Sequence, residues 1–146
     1  VWVTQAVTDI TNVIKQIYVN CPNCKLVYCS SRVYSGYGTD ANRTEPYGYW
    51  NGWAIREVIS TQLLGDPDLA FNSDLTATVV APWLSWAPYN WADGINDSYD
   101  GLEWICNDFE SDDGYHPSGL GSQKVADRLV RFFTQDETSR IWLLAQ

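Results

Sequence analysis

Histidine occurs once in these 146 residues and methionine not at all, and basic side chains are scarce, with 9 Lys and Arg against 18 Asp and Glu. The net charge of −9 repels phosphate backbones, which argues against nucleic acid and anionic membranes as partners. No apolar run is long enough to cross a bilayer as a helix. Internal repeats, low-complexity tracts and linkers are also missing, so the length predicts one domain, and 45% hydrophobic residues suffice for its core. The acid is scattered along the chain and reads as a solvated surface rather than a site.

Cysteine is limited to 4 residues. A zinc ribbon needs a second close pair, and Cys29 and Cys106 stand alone. Cys21-Pro22-Asn23-Cys24 has redox spacing, but it ends a predicted helix and leads into a strand, the reverse of a thioredoxin-type motif. A structural bridge between Cys21 and Cys24 is the expectation, with Cys29 and Cys106 as a second candidate pair, although four cysteines allow other pairings. An acidic, Trp- and Tyr-rich chain without methionine fits a secreted, extracellular protein.

The hydropathy pattern alternates. Val1 to Thr4 reads as a strand and Val7 to Val19 as a helix, with Ile10, Val13, Ile14 and Ile17 at helical spacing. Lys25 to Cys29 reads as a buried strand, Glu45 to Leu64 as a second helix, Thr76 to Ala81 as a third strand, and Pro117 to Phe133 as the last helix. Strand, helix, strand, helix, strand predicts an α/β fold with right-handed crossovers and a parallel sheet covered on both faces. Ligands then bind beyond the carboxyl ends of the strands. The aromatic loop Trp83, Trp86, Tyr89 and Trp91 lies there; the first two are expected to pack, while Tyr89 and Trp91 are candidates for substrate contact.

The one histidine, His116, follows Asp113 by three residues in Asp113-Gly114-Tyr115-His116-Pro117-Ser118. An imidazole has the proton affinity closest to neutral pH, and a carboxylate beside it fixes the ring tautomer, which is what a general base requires. The Gly114 turn is expected to bring the two side chains within hydrogen-bonding reach. The following helix, whose apolar positions Leu120, Val125, Leu129, Val130, Phe132 and Phe133 follow helical spacing and are expected to bury one face, pins the loop to a packed scaffold. A nucleophile is missing from the neighbourhood. Ser30 and Ser31 stand at a strand end, but without the glycine elbow that exposes a catalytic serine they are expected to cap the strand.

The Asp-Gly-x-His-Pro-Ser loop and its helix resemble the last block of the SGNH (GDSL-type) serine esterases. Residues 22–37, 45–59 and 81–104 resemble a secreted bacterial branch of the same family, in the same order. The resemblance implies an α/β three-layer sandwich with a parallel sheet of the flavodoxin-like kind, here N-terminally incomplete. It also implies carboxylic ester hydrolysis, including that of acylated saccharides, with Asp113 and His116 as catalytic residues. Neither metal nor organic cofactor is implied. The family's Gly-Asp-Ser nucleophile block does not occur in these residues, so the resemblance places the serine N-terminal to Val1. Gly94-Ile95-Asn96-Asp97 imitates the family's oxyanion block but stands too near the Asp-x-x-His loop to be it.

The expected partners are therefore an ester or acylated carbohydrate, and either the missing N-terminal half or a second copy pairing along an exposed edge at Val1 to Thr4. An alternative class is a non-catalytic half-domain that binds or self-assembles. A Gly-Asp-Ser block upstream favours the enzyme; a start signal just before Val1 favours the alternative. Carboxylate pairs such as Asp100 with Glu103, or Asp112 with Asp113, form a weaker glycosidase reading. Asn42 and Asn96 head short glycosylation sequons that matter only in a eukaryotic source.

Overall fold

Val7, Ile10, Ile14 and Ile17 recur at helical spacing and pack into one apolar cluster, and the helix they define, α1, runs over Trp2–Asn20. The computed structural model describes residues 1–73, 78–96 and 98–144. The strand expected over Val1 to Thr4 is thus corrected to the first turn of α1. Its β-branched residues carry the helical period backwards, with Gln5 N–H donating to Val1 O at 3.1 Å and Thr8 Oγ1 to Thr4 O at 3.1 Å. Four residues are too few for a β-like composition to outweigh a period that continues through the next sixteen. No strand edge is presented at Val1 to Thr4.

Strand β1 (Leu26–Cys29) pairs in parallel with β2 (Trp83–Trp86), Leu26 opposite Trp83 and Cys29 opposite Trp86. The chain is α/β, and the sheet among the described residues has these two strands. The third strand expected over Thr76 to Ala81 is displaced. Residues 76 and 77 lie outside the described residues, and 78–81 are not strand. Val80 and Ala81 both donate their N–H to Ala70 O, and Pro82 has no N–H to give, so the ladder opens only where Trp83 N–H reaches Lys25 O at 3.0 Å. Trp83 and Trp86, expected in a loop, are strand residues, with Trp86 packed on the core.

Helix α2 (Tyr47–Leu63) starts two residues later than expected, because Glu45 stays outside it and accepts the Tyr49 N–H with Oε2 at 3.1 Å. Helix α3 (Gly119–Gln135) begins after Ser118, whose Oγ accepts from Gly121 N–H as an N-cap. A short helix α4 (Glu137–Leu143), unexpected from the sequence, follows Asp136, which caps it through Thr138 N–H at 2.8 Å.

The chain divides into two compact units, one of Val1–Ser30 with Trp50–Trp86 and one of Ser31–Tyr49 with Ala87–Gln146. The first is built on Ile14, Val58, Leu69 and Leu84, each all but sealed from solvent, so that each side chain contributes about 1.5–3 kcal/mol of burial. The second is built on Trp104, Phe109, Leu102 and Ala92. Trp104 is fully buried, and its indole N–H donates to Asn90 O at 2.9 Å, which removes the cost of burying the ring's polar atom.

The expected bridges among cysteines are absent here. Cys21, Cys24, Cys29 and Cys106 are free thiols. Cys24 Sγ donates to Leu26 O instead, and burial pushes the Cys29 thiol upward in pKa.

Candidate active site

The loop that carries Asp113 and His116 is closed at its base like a small hairpin. Phe109 bridges Pro117, Glu110 N–H donates to His116 O at 2.8 Å, and Ser118 N–H donates to Asp108 O at 2.9 Å. Asp108 is itself buried, accepting from Ile105 N–H at 2.9 Å and from Lys124 Nζ at 2.6 Å, so α3 is bonded to the base of the loop. Gly121 permits this approach. A methyl group on it would meet Asp108 O at 2.1 Å.

At the tip, Gly114 has φ +70°, and a methyl group there would sit 2.2 Å from Tyr37 O. Only glycine satisfies both the left-handed backbone and the contact. The turn it makes brings Asp113 and His116 together, as the spacing predicts. Asp113 Oδ1 accepts the backbone N–H groups of Tyr115, at 2.9 Å, and His116, at 3.0 Å, while Oδ2 bonds His116 Nδ1. The carboxylate is thereby anchored to the backbone through one oxygen and to the ring through the other. The backbone N–H groups of His116 and Tyr115, with the His116 ring, hold the Asp113 carboxyl at about 2. The His116 side chain remains 64% exposed, with Nδ1 the ring nitrogen that Asp113 engages.

Neighbouring groups fix the ring from one side. The Tyr115 and His116 rings lie 4.7 Å apart, and Tyr115 Oη accepts from Arg43 Nη1 at 2.8 Å while the Arg43 guanidinium lies over the tyrosine ring. Arg43 is a contributor that the sequence did not mark, being 72 residues away.

The strand-end serines are placed differently. Ser31 is buried, and its Oγ accepts from Asn90 N–H at 2.7 Å, a structural role. Ser30 directly follows β1, and no glycine precedes it in the strand.

Tyr89 and Trp91 line a common cavity of about 360 Å³ with Tyr49, Asp93, Asn96 and Tyr99. Trp91 Nε1–H donates to Glu45 Oε1 at 3.0 Å, and the same carboxylate accepts from Ser35 N–H and Ser35 Oγ. Glu45 thus locks a ring 46 residues away; the only local signal was a Glu-Pro pair standing just ahead of a helix. Burial, then the neighbouring Tyr49 and Glu45, push the Tyr89 hydroxyl upward in pKa. Its backbone carbonyl is held by Arg128 Nη2 at 2.8 Å, which also pairs with Asp100 Oδ2 at 2.8 Å.

Of the carboxylates weighed as glycosidase pairs, neither Asp100 nor Asp113 suits the general-acid role. A general acid needs a raised pKa. Desolvation works in that direction on Asp100, but the hydrogen bonds from Ser98 and Arg128 outweigh it and its pKa is lowered; that of Asp113 is lowered as well. Among the described residues no group of three or more His, Cys, Asp and Glu is gathered to hold a metal. Asp97, the last residue of the oxyanion imitation, lies outside the described residues.

The anchoring of Asp113 has a pH signature. A depressed folded-state pKa means that the carboxylate's contribution to the loop is complete above the ordinary value of about 4 and is lost as pH falls through about 2. Because His116 is the single histidine, its ring proton resonances need no assignment. They should report an acid step centred near 2; a step at the ordinary carboxyl value would show that the backbone amides do not hold Asp113.

Comparison with protein-family models, with curated proteins and with solved structures returns no match for this chain.

Proposed function

We propose that these residues form the base half of a Ser-His-Asp site in an SGNH-type carboxylic ester hydrolase, acting on esters that include acylated saccharides. The observation that carries the reading is the Asp113 carboxylate, fixed by two backbone N–H groups and bonded to Nδ1 of a histidine whose side chain is largely exposed. Asp113 holds the ring as the Nδ1–H tautomer. Nε2 then takes the proton of a serine hydroxyl as it attacks the ester carbonyl, the imidazolium is stabilised by Asp113, and the proton passes to the departing alkoxide. This route calls for no metal and no organic cofactor. Tyr89 and Trp91 are the proposed substrate contacts.

The nucleophile and the oxyanion donors are proposed to come from residues outside these 146, in a domain completed to a three-layer sandwich. The acidic, methionine-free composition supports a secreted setting. The test is labelling of the longest translated product that contains these residues with a fluorophosphonate, followed by peptide mass spectrometry. The expected adduct is on a serine outside the 146 residues, lost in His116→Ala, with no adduct on the 146 residues expressed alone. An adduct on Ser30 or Ser31 would relocate the nucleophile, and no adduct on any serine would overturn the esterase reading in favour of a binding or self-assembling chain.

A further inference from the structure

We propose that the cavity lined by Tyr49, Tyr89, Trp91 and Tyr99 is a subsite for a neutral sugar ring. The proposal deepens the esterase reading by naming the alcohol side of the substrate, and it rests on that reading for its role in catalysis but not for binding. The cavity holds about 360 Å³, within the range of small-molecule sites of ~300–1,000 Å³. Neither Asp113 nor His116 is among its described lining residues.

Three features select the ligand. The first is an aromatic corner set before any ligand arrives: the Trp91 and Tyr49 rings lie 4.8 Å apart at 49°, and Glu45 holds the Trp91 ring by accepting its indole N–H with one oxygen while the other accepts the Tyr49 backbone N–H at the start of α2. A flat wall fixed in this way presents its face to the C–H side of a pyranose without losing side-chain freedom on binding. Tyr99, 97% exposed, stands at the mouth as a second flat surface.

The second feature is a rim of hydrogen-bond acceptors. Asp93 and Asn96 are exposed and line the cavity, and the bond between them engages Asn96 Nδ2 and Asp93 Oδ2, so that Asp93 Oδ1 and the Asn96 side-chain carbonyl oxygen are the acceptors proposed for sugar hydroxyls. An acyl chain would cover these acceptors without pairing them, at a desolvation cost. The third is charge. Asp93 on the rim and a net charge of −9 disfavour phosphorylated or carboxylated ligands, while a neutral saccharide is not repelled. Asp100, although on the rim, is neutralised by Arg128.

The experiment titrates the full chain with xylotriose, cellotriose and maltotriose, with octanoate and glucose 6-phosphate alongside, following the Trp91 indole N–H resonance by NMR. At least one neutral trisaccharide should shift it saturably, and the affinity should fall roughly tenfold in Trp91→Ala, a typical loss for an aromatic contact. Tyr99→Ala, which removes only an exposed ring and so leaves the fold intact, should weaken the same binding several-fold. Saturable binding of octanoate or glucose 6-phosphate that displaces the sugar would overturn the proposal, as would failure of all three sugars or binding indifferent to both variants. Sugar binding without serine labelling would retain the subsite and reject the esterase; labelling without sugar binding would do the reverse.

Discussion

On the proposed Ser-His-Asp mechanism, replacing Asp113 by asparagine in a product that carries the proposed nucleophile is expected to lower kcat for an activated ester by roughly 10⁴-fold with little change in KM. Asparagine can keep its carbonyl oxygen on the Tyr115 and His116 N–H groups, so the loop retains its shape. What changes is the second atom. An amide N–H now faces His116 Nδ1 where the carboxylate oxygen stood, and Nδ1 must become the acceptor. The ring proton moves to Nε2, the nitrogen that in the proposed mechanism has to be bare to take the serine proton. The ¹⁵N shifts of the one histidine report the tautomer directly, separating this effect from unfolding. A fall in kcat of less than about tenfold, with the tautomer reversed, would show that Asp113 serves the loop and not the chemistry.

The largest expected stability effect lies in the first unit, at Gln62. This side chain is almost completely buried, its Nε2 donates to Leu69 O and to Pro82 O, each at 3.0 Å, and its Oε1 accepts from Leu84 N–H at 2.8 Å. One amide therefore satisfies three backbone groups around the start of β2. Gln62→Leu keeps the approximate volume and removes all three partners, each lost bond costing about 1–3 kcal/mol at a buried site. Burying an aliphatic side chain returns part of this, about 1.5–3 kcal/mol. The net loss is expected at about 3 kcal/mol, a sizeable share of the ~5–15 kcal/mol that holds a domain together. Urea unfolding should show a lower midpoint with an unchanged slope. The control is Gln16→Leu on the exposed side of α1; equal midpoints for the two variants would refute the role assigned to Gln62.

Helix α3 and its loop were legible because their signals are local. Ser118 caps, the apolar positions repeat at helical spacing, and Gly114 makes a turn that brings i and i+3 into contact, so Asp113 and His116 meet without help from distant residues. The first helix was half legible. Ile10, Ile14 and Ile17 do pack in the core, whereas Val13, named with them, is exposed, and a short β-branched stretch at the start was read as a strand, because propensity over four residues is a weaker signal than a period over the 19 of the helix.

From sequence alone came the α/β class, the parallel sense of strand β1 with a later strand, the turn at Gly114 and the pairing it imposes on Asp113 and His116. Only the tertiary structure decided where the later strand begins, since that depends on Ala70 O taking the N–H groups of Val80 and Ala81. It also decided that Ser31 is a buried acceptor and that Gln62 completes the backbone bonding at β2. The same holds for the cavity beside Trp91, which exists because Glu45 grips a ring 46 residues along the chain and Arg128 holds the Tyr89 carbonyl from 39 residues away. The physical reason is range. Turns, caps and periodic faces act over a few residues and leave their pattern in the sequence, whereas a hydrogen bond closed across dozens of residues depends on every fold step between its ends.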